Sequence, residues 1–301
     1  LEVEANYETL KKAEGGYEHN SDLTLATFEL GLDVNVIKYV HGRALLLWEE
    51  DSTEPIDLDE GIITLGAEED FPYFLSAGKL YVPFGVFESR FISDPLTLEL
   101  GETRETAVLL GMEDDLFAIS VGAFKGDIQK VDQGSRINTL VASLDLTPVD
   151  GLTTGVSYLT DIADSDGLAD LIPEGEIEKY VGGLSAYFIF ELDSLTLSAE
   201  YLGALKKFKD IPVPEEEESE LEGKQPQAWN IELAWEFVEN WEVALRYEGS
   251  DDFPGFPENQ GGICFSWGIF SNTTLAAEYL YGEFKNDDKR NLATAQLAFE
   301  F

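Results

Sequence analysis

The chain of 301 residues has one cysteine, one methionine, two histidines and only 19 Lys and Arg. A single Cys264 cannot form an intrachain disulfide, and it neither demands nor excludes an oxidising compartment. Placed among Ile263, Phe265 and Trp267, it reads as a buried or lipid-facing apolar residue. His19, expected in a loop, and His41, expected in a strand, offer no pair for a His-based metal centre. The shortage of bases excludes nucleic-acid binding, which needs clustered Lys and Arg against phosphates. No run approaches the roughly 18 apolar residues of a membrane helix. That leaves a β-barrel open, because barrels carry a much weaker signal per segment. There is no Gly-x-Ser-x-Gly elbow, His-Glu-x-x-His pair or phosphate-binding glycine loop. No catalytic residue is therefore expected, and the chain does not read as an enzyme. No signal segment is visible at Leu1, so a mature chain whose leader has been removed is expected.

What the sequence has in excess is acid. Sixty Asp and Glu give a formal net charge of −41 and a pI near 4.1. Such a field favours cationic partners or divalent ions, or it simply keeps loops solvated. With 44% hydrophobic residues the chain can still build a folded structure.

Strand-like alternation dominates. Trp229, Ile231, Leu233, Trp235 and Phe237 alternate with Asn230, Glu232, Ala234 and Glu236. The next segment sets Trp241, Val243, Leu245 and Tyr247 against Glu242, Ala244, Arg246 and Glu248. Successive strand side chains point to opposite faces, so each segment has one apolar, aromatic face and one polar face. About 16 such segments are expected, near 10 residues each, which suits tilted membrane-spanning strands. They cover 1–9, 21–30, 36–48, 60–67, 73–83, 102–111, 116–125, 137–146, 152–160, 179–190, 194–204, 227–237, 241–249, 261–270, 273–282 and 291–301. Short connections are expected at Gly31–Asn35, Glu68–Pro72, Met112–Asp115, Thr147–Gly151, Glu191–Ser194, Val238–Asn240 and Ser271-Asn272. Between them fall long ones near 10–20, 49–59, 84–101, 126–136, 161–178, 205–226, 250–260 and 283–290.

Alternating short turns and long loops predict an all-β fold over 1–301. It is a transmembrane antiparallel up-and-down β-barrel with short periplasmic turns and long extracellular loops. Alternation alone would also fit a soluble sandwich. The strands, however, exceed the usual five or six residues of soluble ones. The polar face is too rich in Glu, Arg, Asn and Ser for a dry interior. Trp and Tyr sit near strand ends, as in interfacial girdles. A lumen of this girth is water-filled unless loops plug it.

At the end of the chain, Ala293, Ala295, Leu297, Phe299 and Phe301 alternate with Thr294, Gln296, Ala298 and Glu300. This resembles the terminal strand of bacterial outer-membrane proteins, and the resemblance implies that Phe301 is an assembly signal. The segment Gly78-Lys79-Leu80-Tyr81-Val82-Pro83-Phe84-Gly85, running on through Ser93-Asp94-Pro95-Leu96-Thr97-Leu98-Glu99-Leu100-Gly101-Glu102-Thr103, resembles the LbtU-type siderophore porin family. Its first half is also similar to the porin O-P-like, phosphate- and polyphosphate-selective porins. The resemblance covers residues 78–111; elsewhere only the barrel pattern supports it. It implies a barrel of similar size and siderophore passage, and it supplies no catalytic residue. Some members carry an N-terminal periplasmic extension, whereas this chain opens in a strand.

Residues 84–101 form the third long loop and are the expected lumen-constricting segment, since Pro83 and Pro95 limit strand pairing. Charged rings at a constriction select ions by sign. Lys79, Glu88, Arg90, Asp94, Glu99, Glu102, Arg104 and Glu105 are the candidate constriction residues, and Glu232, Glu236, Arg246 and Glu248 the candidate lumen wall. Three acidic clusters could hold loop-bound Ca²⁺ or Mg²⁺ bridging lipopolysaccharide phosphates, although none has EF-hand spacing. They are Glu49, Glu50, Asp51, Glu54, Asp57 and Asp59; Asp161, Asp164, Asp166 and Asp170; and Glu215, Glu216, Glu217, Glu218, Glu220 and Glu222. Otherwise no cofactor or metal is expected.

The function expected is passive passage of small, cationic or metal-bearing solutes across the outer membrane of a Gram-negative bacterium. The partners are outer-membrane lipid and lipopolysaccharide, and the assembly a homotrimer. The competing readings are a plugged scaffold barrel whose acidic loops dock a cell-envelope or electron-transfer component, and a soluble acidic β-protein from a salt-loving organism.

Overall fold

The computed structural model describes residues 1–50, 53–68, 70–213 and 219–301. The alternating segments form strands β1 (Glu2–Lys11), β2 (Tyr17–Ile37), β3 (Val40–Glu49), β4 (Thr53–Glu68), β5 (Phe71–Tyr81), β6 (Arg104–Asp114) and β7 (Phe117–Phe124). Further along are β9 (Thr139–Val149), β10 (Leu152–Leu159), β12 (Gly183–Leu192), β13 (Leu195–Ala204), β14 (Gln227–Val238), β15 (Trp241–Asp251), β16 (Asn259–Phe270), β17 (Thr273–Glu283) and β18 (Lys289–Phe299). Each pairs antiparallel with its neighbours, and β1 closes on β18, giving a closed barrel of sixteen strands. Two short strands, β8 (Gln129–Lys130) and β11 (Glu176–Ile177), pair in parallel as a separate sheet formed by the loops.

At one rim the strands turn in two residues, at 38–39, 115–116, 150–151, 193–194, 239–240 and 271–272. Such hairpins need positive φ to match strand twist. Tyr39, Gly151, Asp193, Asn240 and Asn272 supply it, at 68°, 77°, 52°, 66° and 62°. At the other rim, long excursions over 82–103, 125–138, 160–182 and 205–226 carry helix α1 (Leu96–Gly101), a 3-10 turn (Ile162–Asp164) and helix α2 (Asp166–Ala169).

Several connections differ from the sequence expectation. The long ones expected near 10–20 and 283–290 shrink to 12–16 and 284–288, because pairing of β1 with β2 and of β17 with β18 continues through their ends. The turn expected at Gly31–Asn35 lies inside β2, where Gly31 pairs with Leu45 and Asn35 with His41. Its Gly, Asp and Asn mimic turn composition, but their backbone continues the ladder and the chain reverses at Lys38-Tyr39. The long loop expected near 49–59 is mostly strand, because β4 begins at Thr53 and pairs Asp57 with Leu47. Asp57 and Asp59 read as loop, yet they lie on the inner wall beside Lys79 and Arg104.

The apolar face points outward. Ile231, Leu233 and Trp235 are 48%, 42% and 48% exposed, while Asn230 and Glu232 beside them are 3% and 2%. A closed sheet with greasy side chains outside and acids inside belongs in lipid; a soluble fold would reverse the faces. Cys264 is buried on the inner face with Ala234, Ala244 and Ala276, under Phe91 and Ile92. The principal apolar cluster lies inside the barrel and is built largely from loops. Leu96, Leu100, Ile162, Leu168, Phe208, Leu221 and Phe253 pack there with inner-wall Leu159 and Leu202. Burying each such side chain contributes about 1.5–3 kcal/mol. The loops therefore fill one arc of the lumen as a small core of their own.

Candidate functional site

The segment 82–103 leaves β5, crosses the barrel and returns to β6. Inward-facing wall groups catch it step by step. Gly85 N–H donates to Ser157 Oγ on β10 at 3.1 Å. Val86 and Phe87 N–H donate to Glu200 on β13 at 2.9 and 3.0 Å. Arg90 N–H and the Ser89 hydroxyl donate to Glu232 on β14 at 2.5 and 3.2 Å. Ile92 and Ser93 N–H donate to Glu278 on β17 at 2.8 and 3.1 Å. Leu96 N–H donates to Glu248 on β15 at 2.8 Å. An irregular backbone inside a barrel has no ladder partner, so its N–H groups need acceptors from elsewhere. Four wall carboxylates provide them, and a carboxylate is a stronger acceptor than a carbonyl.

Arg246 balances this acid. It is buried between its cross-strand partner Glu232, with Nε–Oε2 at 3.1 Å, and Glu248, with Nη1–Oε1 at 3.5 Å. It also donates to the Ser93 and Asp94 carbonyls at 2.9 and 3.3 Å. Its guanidinium lies 4.3 Å from the Phe91 ring centroid. Helix α1 follows and packs against β13, β14, β15 and α2. Gly85, at φ +86°, and Gly101 are needed here: a Cβ on Gly85 would sit 2.3 Å from the Phe87 ring, and one on Gly101 would sit 2.7 Å from Leu202.

The candidate residues divide accordingly. Glu232, Arg246 and Glu248 are on the inner wall, but the loop covers them and they hold it. Glu236 is apart from them at the short-turn rim, accepting from Asn240 N–H at 3.1 Å. Lys79 and Arg104 gather on the β4–β6 wall with Asp57 at 3.0 and 3.7 Å, and Arg104 also pairs with buried Asp59. Glu88 and Arg90 lie on the outgoing limb of the loop. Asp94, Glu99 and Glu102 lie on its return, and burial raises all three carboxyls, Glu102 to about 7, with Asp166 and Asp94 adding to that shift. Glu105, at the start of β6, faces Asp127, Asp164 and Asp166 instead. Phe301 lies beyond β18, stacked on Phe299 with centroids 6.0 Å apart.

Opposite the loop the wall is also acidic. Glu2 and Glu4 on β1 are within electrostatic reach of Asp94, as is Glu49 on β3, and Glu29 on β2 is within reach of Glu2, Glu49 and Asp59. Arg43 nearby is held by Glu60 at 2.6 Å and Asp33 at 3.5 Å. Sequence reasoning missed Glu200, Glu278, Glu2, Glu4 and Glu29. The available signal was an acid at an inward position of an otherwise membrane-length strand.

The acidic clusters are dispersed. Asp161 accepts from Ala163 and Val181 N–H at 3.3 and 3.1 Å. Asp164 accepts from Ile128 N–H and Thr139 Oγ1 at 2.9 and 2.7 Å. Burial pushes Asp161 well above the usual carboxylate range and Asp164 to about 6. Glu222 accepts from Asp210 and Ile211 N–H at 3.2 and 3.0 Å. Asp51, Glu215, Glu216, Glu217 and Glu218 lie outside the described residues, as does the side chain of Glu54. Among the described residues no group of three or more acids, His or Cys is placed to hold a metal ion.

No protein-family model matches the chain. It is 24% identical over 280 residues to a UPF0422 protein of Coxiella burnetii, covering 86% of this chain and 59% of that protein. A UPF0422 protein of Legionella pneumophila is 21% identical over 247 residues, covering 73% and 45%. The chain thus spans about half the length of the curated relatives it matches. Among solved structures, the outer membrane channel DcaP of Acinetobacter baumannii superposes with a TM-score of 0.71 at 17% identity, covering 99% of this chain and 95% of that one. An anion-selective porin from Comamonas acidovorans gives 0.69 at 12%, covering 99% and 97%. At these identities the likeness is one of fold. With its closed sixteen-strand wall and lipid-facing exterior, the chain is a porin-type β-barrel of the Gram-negative outer membrane.

Proposed function

We propose that the barrel is a passive diffusion channel for small hydrophilic solutes, with a preference for cations. The observation that carries this is the acid left over in the arc between loop 82–103 and strands β1–β4. Among the described residues, Arg43, Lys79 and Arg104 each have a carboxylate within salt-bridge distance, whereas Glu2, Glu4, Glu29, Asp94, Glu99 and Glu102 have no base within that distance; Arg246, Arg290 and Arg104 reach Asp94, Glu99 and Glu102 only from farther away. An excess of negative charge, largest above the Glu102 pKa of about 7, raises local cation concentration in a low-dielectric passage and lowers that of anions.

The test is reversal potential in planar bilayers under a KCl gradient. Replacing Asp94, Glu99 and Glu102 together by Asn and Gln should move the potential toward zero, and an unchanged potential rejects the proposal. The likeness of residues 78–111 to siderophore porins extends the solute class to metal chelates, which a liposome-uptake assay with a ferric chelate checks. A second reading, a plugged scaffold, is favoured by the apolar loop cluster on the far arc. Absence of any conductance selects it over the channel.

A further inference from the structure

On its outer wall, at the short-turn rim, the barrel has a groove. There β4 carries a bulge between Gly66 and Glu68. Gly66 sits at φ +92°, where a Cβ would fall 2.0 Å from the Tyr73 carbonyl oxygen. The bulge opens a groove of about 510 Å³ on the lipid-facing side. Its floor is apolar, formed by Leu65, Leu75 and Leu110. Its mouth is aromatic: Tyr39 and Phe71 meet edge to face at 6.2 Å, and Phe71 and Tyr73 at 5.5 Å.

At the mouth, on the aqueous side, is an ion pair joined to those rings. Lys38 Nζ donates to Asp70 Oδ2 at 2.7 Å, and the Tyr39 hydroxyl donates to the same oxygen at 2.8 Å. Lys38 Nζ also lies 4.7 Å from the Tyr39 ring centroid. Both charged side chains remain more than half exposed, at 56% and 54%. The site therefore offers an anion and a cation side by side, above aromatic faces and an apolar trough.

We propose that this groove is a binding site for a zwitterionic phospholipid of the periplasmic leaflet, with a phosphoethanolamine headgroup. One acyl chain lies along Leu65, Leu75 and Leu110. The ammonium takes the place of Lys38 on Asp70, against the Tyr39 and Phe71 rings, which attract cations through their faces. The phosphate takes the released Lys38. Charge complementarity selects the zwitterion: an anionic glycerol headgroup could satisfy Lys38 but would leave Asp70 repelled.

The test uses the whole detergent-purified barrel, incubated separately with phosphatidylethanolamine and phosphatidylglycerol of the same chain length and read by native mass spectrometry. The expected result is one retained phosphatidylethanolamine per protomer, favoured about tenfold over phosphatidylglycerol. Asp70→Asn should abolish the preference, and Lys38→Gln should lower retention of both lipids. Both positions are exposed and outside strand ladders, so neither change threatens the barrel, which heat-modifiable migration on a gel verifies. Equal retention of the two lipids by the native chain, or an unaltered preference in Asp70→Asn, overturns the proposal.

Discussion

Removing Glu278 should unfasten the middle of the lumen loop while leaving its two ends in place. Glu278 is 5% exposed and accepts from Ile92 N–H, Ser93 N–H and the Ser93 hydroxyl. A hydrogen bond to a charged group is worth about 1.5–3 kcal/mol. The three share one carboxylate and do not add fully, so Glu278→Ala should weaken the docked segment by about 2–4 kcal/mol. At about 1.4 kcal/mol per tenfold, opening of residues 91–93 becomes at least ~30 times more frequent. Amide hydrogen exchange reads this directly. Protection of Ile92 and Ser93 should fall by that factor, while Val86 and Phe87, held by Glu200, keep theirs. Glu278→Gln retains one accepting oxygen and should lose only about 1 kcal/mol. Single-channel traces of the Ala variant should show added flicker, because a segment crossing the lumen has become mobile. If Ile92 and Ser93 stay as protected in Glu278→Ala as in the native chain, the carboxylate is not what holds the loop. Packing of α1 on β13–β15 would then be the whole restraint.

Two further outcomes follow from the same network. Arg246→Ala leaves Glu232 and Glu248 buried without their cation. Breaking a buried pair from one side costs about 3–5 kcal/mol, so the variant should unfold at lower urea in a heat-modifiability assay, and Arg246→Lys should recover only part of the loss. The docked state of the 125–139 and 160–165 segments should strengthen as pH falls. The Asp161 and Asp164 carboxyls have raised pKa values when docked, so that state holds more protons, and its stability is lost as pH rises through about 6. Exchange protection of Ile128 and Val181 amides should therefore be greater at pH 5 than at pH 8.

The wall was legible in the sequence because lipid imposes a strict rule on it: every second residue must be apolar for the full width of the membrane. Segments such as 227–237 and 241–249 obey that rule and became β14 and β15 nearly to the residue. It was overlooked where acids crowd a strand. Asp57 and Asp59 read as loop, although Ile56 and Leu58 beside them keep the outward apolar signature, 56% and 44% exposed, and all four lie in β4. Gly31, Asp33 and Asn35 read as a turn because turn composition and lumen-facing composition are the same. The loop's anchorage was illegible for a different reason. Glu200, Glu232, Glu248 and Glu278 are scattered over 79 positions, and only the barrel's closure brings them round one segment.

The acid in this chain therefore does two opposed kinds of work. Among the described residues, one set of carboxylates, Glu2, Glu4 and Glu29 on β1 and β2, has no base within salt-bridge distance and lines the arc opposite the loop, where the proposed channel would use them. A carboxylate under the loop must be desolvated, and it is tolerated only because donors surround it. At Glu200, Glu232 and Glu278 those donors are backbone N–H groups that would themselves be orphaned inside the barrel. Each side thus removes the other's penalty, which is why so irregular a segment can cross the lumen at all. One cation, Arg246, suffices for the cluster because dipoles rather than bases supply most of the compensation. The few bases in the sequence are left to pair on the β3–β6 wall, where Arg43, Lys79 and Arg104 are found. A net charge that looks like a single property in the composition is thus divided by the fold into an acidic lining without bases and a set of fasteners.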